Sequence, residues 1–86
     1  MSVKLRTVSG LLAPIQIKMA RTATGLGVRE LAEAAGVAPS TITRFELDRG
    51  GMQARTLDRV QQVLEERGVI FISADAGGGP GVRLKA

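Results

Sequence analysis

Residues 36–45 read GVAPSTITRF, and the fold turns on whether they form a strand or a helix. By propensity they favour a strand. Ser40, Thr41, Ile42 and Thr43 are poor helix formers, and Thr41, Ile42 and Thr43 alternate polar with apolar. Side-chain sorting favours a helix. Pro39 suits the first helical position, where its missing N–H goes unused. From there, about 100° per residue puts Ile42 and Phe45 on one side, roughly 60° apart. Ser40 and Arg44 fall nearly opposite, flanked by Thr43 and Pro39. A strand would instead put Ile42 with Ser40 and Arg44, and Phe45 with Thr41 and Thr43. Only the helix separates core from solvent, so a helix is expected.

The flanking residues read more directly. Val28, Leu31, Ala32 and Ala35 recur at helical spacing, predicting a helix over 28–35 that Gly36 stops. Upstream, Pro14 fits a helix start, Ile17, Ala20 and Thr24 follow at helical spacing, and Gly25 and Gly27 end that helix. Downstream, Leu57, Val60 and Leu64, broadened by Val63, form the apolar stripe of a helix over about 55–67. Asp58, Arg59, Gln61, Gln62, Glu65 and Glu66 are assigned to its wet face. After Gly68 the pattern changes. Val69 to Ile72 is a β-branched and aromatic run, and Val82 and Leu84 alternate with Arg83 and Lys85. Joined by the glycine-rich 74–80, these predict two strands in a loose hairpin. The run Gly77, Gly78, Gly79 lacks the Lys and Ser/Thr of a phosphate loop and no helix follows it, so it reads as a turn. Residues 1–12 suit a short strand or a basic arm carrying Lys4 and Arg6. The chain thus divides into 1–12, a helical domain over 13–68, and a hairpin over 69–86.

Composition narrows the function. At 86 residues this is one small domain with neither Cys nor His, so no disulfide or zinc supplements a marginal core. A second copy is a reasonable way to bury more surface. Twelve Lys and Arg against eight Asp and Glu give a net charge of +4, which favours polyanionic partners. No apolar run reaches a membrane span. The N-terminus is broken by Gly10 and Pro14 and lacks a signal-peptide cleavage pattern. A cytoplasmic protein without a membrane partner is expected. Without His, Cys or a metal-ligand cluster the usual bases and nucleophiles are missing. Glu30, Glu33, Glu65 and Glu66 read as solvated helix faces. No catalytic residue, cofactor or metal is expected.

The spacing within 28–45 is more specific. A small Ala32 lets a second helix approach, Gly36 permits a left-handed turn, and Val37, Ile42 and Phe45 plug the angle between the helices. That is a helix-turn-helix unit. The block GVRELAEAAGVAPSTITRFE, residues 27–46, resembles the Xre/Cro/cI-like (lambda-repressor-like) helix-turn-helix family. The likeness extends over about residues 13–67, and the tail GVIFISADAGGGPGVRLK is similar to one in small stand-alone bacterial members. The resemblance implies a mainly α, lambda-repressor-like domain of four to five helices with a C-terminal β-hairpin, binding operator DNA as a dimer. It carries base reading to Pro39, Ser40, Thr41, Thr43 and Arg44 in the major groove. Arg44 is the one side chain there able to grip guanine bidentately. Phosphate contacts fall to Arg29, Arg49, Gln53 and Arg55. Two features depart from the family pattern. Val28 and Arg29 stand where a glutamine phosphate clamp is frequent, and Ala38 replaces the usual Ser or Thr cap.

Plainer readings stand beside these. The hydroxyls could be ordinary surface groups, and Arg44 could pair with Glu46 or Asp48, worth under about 1 kcal/mol. The expected function is a sequence-specific transcriptional regulator, a repressor binding double-stranded operator DNA. The alternative is an antitoxin-type partner of a toxin, with the hairpin as contact surface. The hairpin is also the first candidate for a homodimer interface.

Overall fold

Four helices and one antiparallel hairpin succeed one another along residues 12–86, which the computed structural model describes. The arm or strand expected over 1–12, with Lys4 and Arg6, lies outside the described residues except for Leu12, which is buried. Helix α1 spans Pro14–Thr24, α2 Val28–Ala35, α3 Pro39–Glu46 and α4 Ala54–Glu66. Strands β1, Val69–Ile72, and β2, Gly81–Leu84, pair with Val69 opposite Leu84 and Ile72 opposite Gly81.

The stretch 39–46 is helical because burial outweighs propensity. Ile42 is fully buried and Phe45 nearly so, each contributing about 1.5–3 kcal/mol. Ser40, Thr41, Ile42 and Thr43 each give up at most about 0.7 kcal/mol relative to alanine. Gly36 stops α2 at φ +72°, and Val37 N–H reaches back to Ala32 O at 2.9 Å. Three residues, 36–38, then suffice to reverse the chain into α3. Helix α3 closes the same way on a less suited residue. Asp48 takes φ +58°, its N–H donating to Phe45 O at 2.9 Å and that of Arg49 to Arg44 O at 2.8 Å.

The core gathers Ile17, Leu31, Ile42, Val60 and Leu64, all fully buried, with Leu57, Phe45, Val69 and Phe71 around them. Helix α1 packs on α3, α4 and both strands, while α2 packs on α3 and α4. Directly opposed residues of the hairpin share a face. Val69 and Phe71 are buried against the helices, with Val82 half-buried beside them, whereas Ile70 is exposed. The hairpin is therefore a docked layer of the core, with its inner face already occupied. At its tip Asp75 and Gly78 exchange backbone hydrogen bonds, and Gly77 N–H donates to Asp75 Oδ1 at 2.8 Å. The glycine run is a turn, and a carboxylate of the chain itself sits on its amide.

One buried glutamine corrects the sequence reading and a second adds to it. Gln61, assigned to the wet face of α4, is completely buried. It lies four residues after Leu57 and three before Leu64, on the apolar stripe itself. Its Nε2 donates to Glu65 Oε2 at 3.0 Å, and among the described residues its Oε1 has no hydrogen-bond partner. Gln16 is buried near the start of α1. Its Oε1 accepts from Ala13 N–H at 2.8 Å, and its Nε2 donates to Ile72 O at 3.0 Å and Gly81 O at 3.1 Å. One amide thereby ties the first helix to both strands.

Candidate functional site

Helix α3 divides its side chains as the face arithmetic requires. Pro39, Ser40, Thr43 and Arg44 are exposed, Thr41 is half-buried, and Ile42 and Phe45 face the core. At its start Ala38 is extended (φ −72°, ψ 140°) and offers no side-chain cap to the first-turn amides. The unfilled cap seen in the sequence is an unfilled cap in the fold.

The end of α3 is fixed from outside, and so is the end of α2. Glu46, in the last turn of α3, accepts two hydrogen bonds from Arg21 of α1, from Nε at 2.7 Å and Nη2 at 2.9 Å. Arg21 Nη1 also donates to Leu26 O at 3.2 Å. The pair is mostly enclosed, with side-chain exposures of 18% and 5%. Hydrogen bonding to Glu46 raises the Arg21 pKa above its ordinary value, against an opposing pull from partial burial. Glu46, a possible surface partner for Arg44 in the sequence reading, is thus committed to Arg21. On the other side Arg59 of α4 donates Nε to Ala35 O at 3.1 Å, holding the last turn of α2 against α4.

Two hollows flank α3. A cleft of about 380 Å³ lies between α3 and the start of α4, and Thr41, Arg44, Gln53, Thr56 and Arg59 line it. Gln53 precedes the first turn of α4 without a side-chain cap, so a second set of helix amides opens beside these cations. Across α3, Arg29 and Glu33 share a shallower hollow with Val37 and Pro39. The nine residues singled out in the sequence are accordingly brought together in part. Thr41, Arg44 and Gln53 meet in the cleft, and Arg29 meets Pro39. Ser40 and Thr43 stand exposed on α3, while Arg49 and Arg55 are exposed in and after the following loop, lining neither hollow.

Arg59 was missed because a cation on a helix face reads as solvated. Its position one turn beyond Arg55 was the available signal. Among the described residues no group of three or more acidic, His or Cys side chains is placed to hold a metal ion. Nor, among them, is any helix long and apolar enough to cross a membrane. What the arrangement offers chemically is a short rigid helix with hydroxyl and guanidinium groups outward, two uncapped helix starts, and cations on both flanks. No protein-family model matches the chain, and no curated protein matches it.

Proposed function

We propose that this chain is a sequence-specific DNA-binding transcriptional regulator of the repressor type, with α2, the 36–38 turn and α3 serving as an Xre/Cro/cI-like helix-turn-helix. The observation that carries the reading is the division of α3, an eight-residue helix held by two buried side chains and one ion pair, with Ser40, Thr43 and Arg44 exposed and Thr41 half-exposed. Such a helix enters a major groove about 12 Å wide. Pro39, Ser40, Thr41, Thr43 and Arg44 then meet base edges, with Arg44 addressing guanine O6 and N7. Arg29 on one flank, and Arg49, Gln53 and Arg55 on the other, suit the two phosphate backbones bordering that groove.

A dimer accompanies the reading, because one short helix reaches few base pairs. The protein measures 32 × 24 × 24 Å, which suits half-sites about 34 Å apart on one side of the duplex. Ile70, exposed on the outer face of the hairpin opposite Arg83, and Leu84, exposed at its end on the other face, are the first residues to test for self-association.

In vitro selection of duplex DNA from a random pool tests the whole reading. A palindromic consensus is expected. Arg44→Ala should relax one base pair per half-site and cost roughly 1–3 kcal/mol. Arg49→Ala should weaken all sequences alike and reduce the salt slope by about 0.9 per protomer. A pool without preference, or an unchanged consensus with Arg44→Ala and Thr43→Ala, sinks the assignment. The antitoxin alternative draws on the same exposed hairpin residues. A second protein co-purifying through Ile70, and lost on Ile70→Lys, would favour it.

A further inference from the structure

Two glycines stand side by side between α3 and α4, in unlike surroundings. Neither takes a positive φ, so the backbone holds neither to glycine. A β-carbon on Gly51 would meet no atom within 4 Å. One on Gly50 would lie 2.9 Å from Arg44 Nη2, 3.4 Å from Cζ and 3.5 Å from Nε. All three atoms belong to one guanidinium, and the first distance is inside van der Waals contact. Arg44 occupies the space that a side chain at position 50 would take.

The chain path explains the proximity. Arg49 N–H donates to Arg44 O at 2.8 Å, so the loop folds back over the last turn of α3 and lays residue 50 along the Arg44 side chain. Among the described residues no carboxylate pairs with Arg44, and its neighbour Glu46 is taken by Arg21. Packing against Gly50 therefore directs this guanidinium.

We propose that Gly50 is a positioning residue for Arg44, setting the direction from which its guanidinium fork approaches a base edge and hence the specificity at that base pair. The role rests on the DNA reading above. A bidentate grip on guanine requires the planar fork to be aligned with O6 and N7. Gly50→Ala collides only with the far end of a flexible side chain, which swings aside at little cost to the fold. The fork's direction is what changes. Gly51 is the matched control.

The test uses the full chain carrying Gly50→Ala, Gly51→Ala, Arg44→Ala, or Arg44→Ala with Gly50→Ala. Each is read by random-pool selection and by thermal unfolding, and the two single glycine variants also by the Arg44 Nε–Hε resonance of the free protein. Gly50→Ala should unfold with Gly51→Ala yet lose at least about fivefold of its preference at one base pair per half-site, the lower bound for such a contact. It should be silent in the Arg44→Ala background. The Arg44 resonance should move with Gly50→Ala and not with Gly51→Ala. An unchanged consensus, a loss that persists without Arg44, or unfolding well below Gly51→Ala overturns the proposal. A wild-type chain that selects no sequence overturns the DNA reading and this role with it. The Arg44 resonance separates the two failures, since a moved resonance leaves the contact standing and an unmoved one removes it.

Discussion

Replacing Glu46 by alanine tests how α3 is held. The substitution takes two charge-assisted hydrogen bonds, at 2.7 and 2.9 Å, from an Arg21 side chain that is 18% exposed. The guanidinium keeps Leu26 O at 3.2 Å. Breaking a buried pair from one side costs about 3–5 kcal/mol. The residual exposure and the remaining carbonyl put Glu46→Ala at the lower end, near 3 kcal/mol. Arg21→Ala should cost more, because Glu46 is only 5% exposed and loses its partner entirely. Removing both charges with Arg21→Met and Glu46→Leu should recover most of the loss, since apolar replacement of a buried pair is often neutral. A chain this size holds roughly 4–13 kcal/mol in total, so urea unfolding followed by circular dichroism resolves all three variants. The pH dependence has a definite sign. The Arg21 pKa is raised in the folded state, so its contribution is fully present below the ordinary arginine value. It is lost only as pH climbs through the still higher folded one. The difference between wild type and Arg21→Met should accordingly stay flat as pH rises from about 7 to 10. Single variants losing under about 1 kcal/mol would make this an ordinary surface pair and refute the anchoring role.

Three further substitutions test neighbouring features. Gln16→Ala removes the amide that grips both strands, and should cost about 2 kcal/mol while amide exchange rises first at Ile72 and Gly81. Unchanged exchange there would deny the clamp. Gln61→Met removes a buried acceptor without a partner and should raise stability by about 1 kcal/mol in urea titrations; a loss would mean Oε1 is satisfied in solution. Ala38→Ser supplies the missing cap of α3, for a gain of about 1 kcal/mol. A chain no more stable would show that Pro39 alone fixes that start.

The local features were legible where one face of one element decided them. Spacing over 28–35 located α2, and the Ile42–Phe45 pair outvoted the strand propensity of four residues around it. Gln61 was misread although its place between Leu57 and Leu64 was on the page, because amide chemistry was weighed above position. Gln16 and the Arg21–Glu46 fork were beyond local reading. Their partners lie 56 and 65 residues away in one case and 25 in the other, and no periodicity links such distances. Within the candidate site, the faces of α3 could be assigned from the sequence. The cleft could not, nor Arg59 at its edge, nor the difference between Gly50 and Gly51. These depend on how the α3–α4 loop folds back, and that is set by Asp48 adopting a conformation more natural to glycine.

The clamp at Gln16 also orders events during synthesis. Ribosomes add roughly 5–20 residues per second, so Gln16 is made about 3–13 s before Gly81. Helices α2 and α3 have their mutual contacts within reach much sooner, since both lie inside residues 28–46. The outward-facing helix is therefore assembled early, while β2 arrives late to complete the anchoring of α1. A nascent chain halted before Gly81 would carry a formed α2–α3 pair on an unclosed domain, exposed to proteases at α1 and α4.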